Sequence, residues 1–186
     1  MDAFGYLSVL LSIIIGLAIA QILQGYRSIL LARGRVRLST PVLIWTFLIL
    51  LFAAQAWWAS FDLREREHWD FVSFAVILLQ MVLLYMLAAV VLPDVAPSDK
   101  VDLVEHSDKH RRTFFGFLIA MLIVSIVKDL ILDHRLPQPM NLLFHLLMVV
   151  IAIIGMIIKS SRVQLILALG AVAGFLAYVG LLFARL

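Results

Sequence analysis

The sequence predicts an all-α membrane protein, a polytopic bundle of about six helices that forms one domain over residues 1–186. Of its residues, 64% are hydrophobic and 15% are charged, and the mean hydropathy is +1.08. A soluble domain has roughly 45–50% apolar and about 25% charged residues, so a chain of this composition requires lipid around it. No ten-residue block of the sequence alternates between apolar and polar residues, which excludes a transmembrane β-barrel.

Six apolar stretches are long enough to cross the hydrocarbon core, which takes about 20 helical residues. They cover residues 5–26, 41–60, 71–92, 114–132, 142–158 and 164–184. All five prolines fall at or outside the ends of these stretches: Pro41, Pro93, Pro97, Pro137 and Pro139. Because proline inside a helix removes a hydrogen bond and clashes with the preceding turn, this placement supports the same boundaries. Only Asp2 is charged before the first stretch, so a signal-peptide n-region is lacking and we expect this stretch to be a retained span.

The basic residues predict the orientation of the spans. Ten Lys and Arg lie in the connections near residues 27–40, 93–113 and 159–163. Only four lie on the opposite side: Arg64, Arg66, Arg135 and Arg185. By the positive-inside rule the first set is cytoplasmic, which places both termini on the outer side of an inner (plasma) membrane. The longest connection carries Val101, Leu103 and Val104 among its charges, so we expect part of it to form a short amphipathic helix on the inner surface.

One face of the first span is small or polar along its whole length. Ser12, Gly16 and Gln24 recur with Ser8 and Ala20 at a spacing of four, and residues four apart share a helix face. Close packing on another helix is one interpretation, because small residues let two backbones approach. The lining of a conduction or substrate path is the other. Both predict that this stripe faces protein or a cavity rather than lipid.

Two later spans carry weaker signals. Gly170 and Gly174 stand in GxxxG spacing, which suits either an internal helix contact or a homo-oligomer interface. In the fifth span His145 shares a face with Asn141, about one turn inside the outer boundary. A hydrogen bond from His145 to a neighbouring helix is the simplest interpretation of its position.

The charges at the end of the fourth span form the most informative candidate site. Lys128 and Asp129 lie within the apolar stretch, and Asp133 follows one turn later. A charge inside the bilayer is costly and is a functional hypothesis by default. Lysine can extend toward the interface, whereas Asp129 is short and lies near a helix C-terminus, which disfavours an anion. Consecutive residues point about 100° apart, so we expect Asp129 to be neutralised by a group other than Lys128, such as His145, an arginine, a cation or a proton. A structural ion pair and a proton or cation site both fit this pattern.

Missing motifs narrow the function further. The chain has no cysteine, which excludes disulfides and thiolate chemistry, and it has neither a Gly-rich phosphate loop nor HExxH. We expect no enzymatic activity, no metal, no cofactor and no nucleic-acid partner. The leading hypothesis is a small oligomeric channel or transporter for protons or small ions. The alternative is an accessory or scaffolding subunit of a larger membrane complex, so the expected partners are the lipid bilayer and further copies or other membrane subunits.

Overall fold

The computed structural model describes residues 3–32, 34–66, 68–95 and 100–182. Their main elements are six helices: α1 (Ala3–Leu31), α2 (Thr40–Ala59), α3 (Phe71–Val91), α4 (Leu103–Asp133), α5 (Pro139–Ile157) and α6 (Ser161–Leu182). All six are long and apolar enough to cross a membrane, which confirms the prediction of a helical bundle with six candidate spans. The orientation of the termini and the identity of the membrane stay predictions. Several residues that entered the predictions of the spans, of the retained first span and of the orientation lie outside the described residues: Asp2, Arg33, Pro97, residues 183–184 and Arg185.

The helix α4 begins before the apolar stretch that was predicted as the fourth span, and the bounds of that span in a membrane stay a prediction. The helix starts at Leu103, about three turns before the apolar stretch that was expected to begin at residue 114. The amphipathic segment expected in the connection is therefore the first part of α4 and not a separate helix. The start is set by Asp102, whose carboxylate accepts hydrogen bonds from the backbone N–H groups of Val104 and Glu105. An N-cap fixes where a helix begins regardless of hydropathy.

Five of the helices form a closed ring. Each of α2 to α6 packs against the next, and α6 packs back against α2. The first helix lies outside this ring, where it packs on α2 and α3 through an apolar face of Leu7, Leu11, Ile15, Ala18 and Ile22. Successive helices run in opposite directions, so the ends of α2, α4 and α6 meet the beginnings of α1, α3 and α5. This end of the bundle is the outer one in the predicted orientation, and it is called the outer end below.

The inner end is held together by short polar contacts. Two parallel strands, β1 (Val36–Arg37) and β2 (Val101–Asp102), pair there, and an ion pair of 2.9 Å joins Arg37 Nη1 to Asp102 Oδ2. At the end of α5, the Arg111 guanidinium donates from Nε to the carbonyl of Met156 over 3.1 Å. The amide of Gln164 donates to the carbonyls of Gly155 and Ile158 over 2.8 and 2.6 Å. These side chains satisfy carbonyls that the end of a helix leaves without intrahelical partners.

Candidate functional site

A cavity of about 840 Å³ occupies the outer half of the five-helix ring. All five helices line it, together with the 3-10 helix Ser60–Glu65 and the connection between α4 and α5. Asp133 lines it at the outer end, and Phe52, Leu84 and Met121 line it at the deepest level. Twelve residues separate Met121 from Asp133, so the cavity reaches about 18 Å down the axis of α4.

Lys128 and Asp129 form an ion pair in the wall of this cavity. The distance between Lys128 Nζ and Asp129 Oδ1 is 3.5 Å, and the two side chains are 24% and 22% exposed. The expectation that Asp129 would be neutralised by a group other than Lys128 is corrected here. The flexible four-carbon stem of lysine spans the angle between two consecutive helix positions. A charge-assisted hydrogen bond is about 2.7–2.9 Å long, so this pair is a loose one.

His145 is buried beside this pair. Its Nδ1 lies 2.8 Å from the carbonyl of Asn141 and its Nε2 lies 3.1 Å from Ser125 Oγ on α4. Because a carbonyl only accepts, Nδ1 carries the hydrogen of the neutral ring and Nε2 accepts from the Ser125 hydroxyl. The predicted hydrogen bond between His145 and a neighbouring helix is thus present. Asp129 also interacts electrostatically with both His145 and Tyr178 of α6.

Asp133 belongs to a different contact at the rim of the cavity. Its Oδ1 lies 2.9 Å from Arg66 Nη2, and the same guanidinium donates to the carbonyl of Leu132. The helix ends at Asp133, and its C-cap residue His134 has a left-handed φ of 52°. A cation at a helix C-terminus complements the helix dipole, so Arg66 ties the connection before α3 to the end of α4. The four residues predicted as one site therefore divide into Lys128, Asp129 and His145 within the cavity and Asp133 at its rim.

Several polar lining residues were not singled out from the sequence. Gln55 and Gln80 reach the cavity from α2 and α3, and Ser125 reaches it from α4. Gln80 Oε1 and Asn141 Oδ1 are buried and have no hydrogen-bond partner in the described parts of the chain. A lone amide inside an apolar span is expensive to bury, so Gln55 and Gln80 carried a signal that could have identified them.

Aromatic side chains also line the cavity, and they are called the aromatic wall below. Phe52 of α2 and Phe175 of α6 meet edge to face with ring centroids 5.1 Å apart. Phe144 of α5 stacks on Tyr178 of α6 with ring centroids 4.3 Å apart. The lining of the cavity consequently combines charged and aromatic side chains.

The small-residue stripe of α1 does not line this cavity, because α1 lies outside the ring and contributes only Leu11. Ser12, Gly16 and Gln24 are exposed, and a Cβ added at Gly16 would meet no atom of the described residues within 4 Å. The interpretation of the stripe as the lining of a path is therefore wrong for this cavity. Close packing of the stripe on another helix stays a prediction.

The GxxxG pair of α6 also makes little contact within the chain. Gly170 is exposed, and a Cβ there would meet no described atom within 4 Å. A Cβ at Gly174 would lie 3.9 Å from Leu147, which is ordinary van der Waals contact. Gly170 faces away from the bundle, so it makes no internal contact with the described residues. An oligomer interface is the alternative that remains for Gly170.

Below the cavity an apolar layer closes the ring. Trp45 of α2 contacts the rings of Phe114 and Phe115 of α4 edge to face, with centroids 5.7 and 5.4 Å apart. Leu48 and Leu118 are fully buried between this cluster and the cavity. Trp45 lies two turns from Phe52, so the layer is about 10 Å thick. On its inner side the same aromatic rings, with His106 and Arg111 among others, line a cleft of about 50 Å³.

The described residues thus form six helices that are long and apolar enough to cross a membrane, with a cavity that reaches the outer end of the bundle. In the part of the chain that the structure describes, no three His, Asp or Glu side chains come together in a way that could hold a metal ion. Comparison of the chain with models of protein families, with curated proteins and with solved structures found no match.

Proposed function

We propose that the protein transports protons or small ions, with the cavity as the outer vestibule and Lys128, Asp129 and His145 as the binding site. The observation that carries this proposal is the loose ion pair in the cavity wall, next to a buried histidine. Charged side chains at membrane depth are expensive, and they commonly mark ion or proton pathways when they face a cavity. A contact that served stability alone would gain from a shorter, well-aligned geometry.

The ion pair of Lys128 and Asp129 is suited to the exchange of one partner for a proton or a cation. A proton that binds Asp129 removes the negative charge and releases the Lys128 ammonium. A cation that enters the cavity competes with Lys128 for the same carboxylate. His145 offers a second position for a proton at Nε2, provided that the Ser125 hydroxyl turns from donor to acceptor. Either event changes the electrostatic balance between α4 and α5, the two helices that carry these groups.

The apolar layer below the cavity favours a transporter or a gated pore over a permanently open channel. Side chains of Trp45, Phe114 and Phe115 separate the cavity from the inner cleft in this conformation. An ion that enters from the outer end must wait for a rearrangement of α2 against α4 before it can leave. A site that is reached from one side at a time is the basis of alternating access.

Asp129→Asn tests the proposal, with Asp133→Asn as the matched control at the rim. We expect Asp129→Asn to reduce proton or cation flux in liposomes to the level of empty vesicles while the protein still folds. Asp133→Asn, whose side chain is 66% exposed, should retain flux. Equal flux in both variants and the native protein would refute the assignment. A lower melting temperature of Asp129→Asn with unchanged flux would identify the pair as structural, since it leaves Lys128 without a partner.

A second candidate, an accessory or scaffolding subunit, is favoured by the outward faces of α1 and α6. Polar Ser12 and Gln24 and the uncontacted Gly16 and Gly170 suit contact with helices of another chain. In that case Gly16→Leu should abolish co-purification with further copies or subunits and leave the melting temperature of the isolated chain unchanged. A variant with native assembly would count against this candidate.

A further inference from the structure

We infer that the cavity also binds a small zwitterionic organic solute with an apolar body, of the chemistry of an aliphatic or aromatic α-amino acid. Its ammonium group would contact Asp129, its carboxylate would contact Lys128, and its apolar body would lie against the aromatic wall. This inference rests on the proposed transport function, because it names a solute for the same cavity.

The size of the cavity is the first argument. Its volume of about 840 Å³ lies in the range of about 300–1,000 Å³ that is usual for sites that bind small organic molecules. One water molecule occupies about 30 Å³ of liquid, so a single ion with a few waters needs far less room. The cavity therefore has room for a solute larger than a hydrated ion.

The balance of charge is the second argument. The lining holds three acidic residues and three basic residues: Asp62, Asp129, Asp133, Arg66, Lys128 and Arg135. An organic cation on Asp129 would displace Lys128 and leave its ammonium unpaired in a partly buried place, which is costly. A zwitterion gives each member of the pair a new partner of opposite charge. The loose 3.5 Å contact is then exchanged for two contacts, and no charge is left alone.

The aromatic wall is the third argument. Phe52, Phe175 and Tyr178 line the same cavity as the ion pair. They offer an apolar surface on which the side chain of the solute can be buried, and burial of apolar surface favours binding. Charge recognition together with apolar contact selects a solute that has both features.

Binding to the purified full chain in lipid nanodiscs tests the inference. The probes are L-phenylalanine, L-leucine, glycine, 2-phenylethylamine and 3-phenylpropionate, each measured by equilibrium binding. We expect L-phenylalanine or L-leucine to bind at least about tenfold more tightly than glycine, which lacks the apolar body, and than the two analogues that carry one charge; tenfold corresponds to 1.4 kcal/mol. A single-charge analogue that binds equally well, or a panel without any binding, would overturn the inference.

Variants locate the site. Asp129→Asn should weaken the zwitterion and the amine but leave the acid unchanged, and Lys128→Gln should weaken the zwitterion and the acid. Asp108→Asn is the control, because Asp108 pairs with Arg111 at the inner end over 2.8 Å. If the charge variants do not fold, the comparison of the five probes on the native protein tests the inference by itself.

Flux measurements separate this inference from the proposed function. Proton or ion flux with no binding by any probe would overturn the solute and retain transport. Zwitterion binding without any flux of the ion or of the solute would retain the site and refute transport. Unchanged zwitterion affinity in both Asp129→Asn and Lys128→Gln would place the solute elsewhere and overturn the inference.

Discussion

At Gly155 the backbone of α5 approaches α4 so closely that a side chain has no room. A Cβ added there would overlap the buried ring of Phe115, which is itself held by Trp45 and Phe114. The ring cannot move aside without disturbing the aromatic layer that closes the inner half of the bundle. Glycine at this position therefore sets the distance between α4 and α5, the two helices that carry Lys128, Asp129 and His145.

We predict that Gly155→Ala lowers the free energy of unfolding by about 1–3 kcal/mol, the usual cost of overpacking a filled interior. Gly16→Ala is the matched control, because a Cβ at Gly16 meets no described atom within 4 Å. In the control the higher helix propensity of alanine should leave stability unchanged or raise it by up to about 1 kcal/mol. Unfolding in detergent, followed by circular dichroism, compares the two. Equal stability of both variants would show that the α4–α5 contact is looser than described.

Individual residues of the site differ in how far the sequence predicts their positions and contacts. The depth of Lys128, Asp129 and His145 follows from counting residues along apolar stretches, and all three line the cavity. The partner of Asp129 did not follow, because helix periodicity gives the direction of Cβ and not the end of a flexible side chain. Asp133 was grouped with Asp129 by its spacing, yet Arg66 from another connection binds it. A contact between distant parts of the chain is set by packing and not by local pattern.

At the scale of elements, the start of α4 is joined to the connection after α1. Asp102 caps α4 and also pairs with Arg37, next to the backbone bond of 3.1 Å from Val101 N–H to the carbonyl of Arg35. Desolvation alone would raise the pKa of Asp102, but the hydrogen bond from Val104 and the contacts with Arg37 lower it by more. The pKa of this carboxyl therefore lies below its ordinary value.

We predict that protonation of Asp102 at acid pH weakens the contact between the start of α4 and the connection after α1. A carboxyl with a lowered pKa in the folded state stabilises the fold above its unfolded pKa of about 3.9, and the contribution is lost as the pH falls through the lower folded value. Hydrogen exchange at Val101 N–H should be constant from neutral pH to about pH 4, after correction for intrinsic rates, and should then accelerate. Asp102→Asn should exchange faster at neutral pH and lose the acid step, although asparagine still caps α4. Asp70→Asn, which alters the cap of α3, is the control. An acid step that persists in Asp102→Asn would assign it to another group.

The position of α1 in the bundle could not be predicted from the sequence, although its presence could. The number of helices and most of their boundaries could be read from hydropathy and proline placement. The stripe of Ser12, Gly16 and Gln24 was predicted to face protein or a cavity, and in the single chain all three residues are exposed. Its environment could not be read, because a helix outside a ring and a helix within it show the same periodicity. Which helices become neighbours depends on how all six faces fit together.

At the scale of the whole molecule, the interior differs between the two ends of the bundle. The outer half encloses a polar cavity, and the inner half is filled by apolar side chains around Trp45, Phe114 and Phe115. Many of the basic residues of the predicted cytoplasmic side lie beyond this filled half, including Arg37, Arg111 and Lys159. If the positive-inside rule holds, the cavity faces the outside of the cell. The direction in which the proposed vestibule takes up its ion or solute thus depends on the topology.

Cysteine labelling tests that topology, and the chain is well suited to it because it has no cysteine of its own. Leu136 and Ser160 are exposed and lie in the connections at opposite ends of α5. Leu136→Cys and Ser160→Cys alter no charge, so they leave the distribution that sets orientation unchanged. In intact cells we expect a membrane-impermeant thiol reagent to label Leu136→Cys, and to label Ser160→Cys only after the membrane is opened. The reverse labelling pattern would contradict the predicted orientation and place the cavity on the cytoplasmic side. Labelling of both positions in intact cells would contradict the assignment of α5 as a span, on which the ring and its cavity depend.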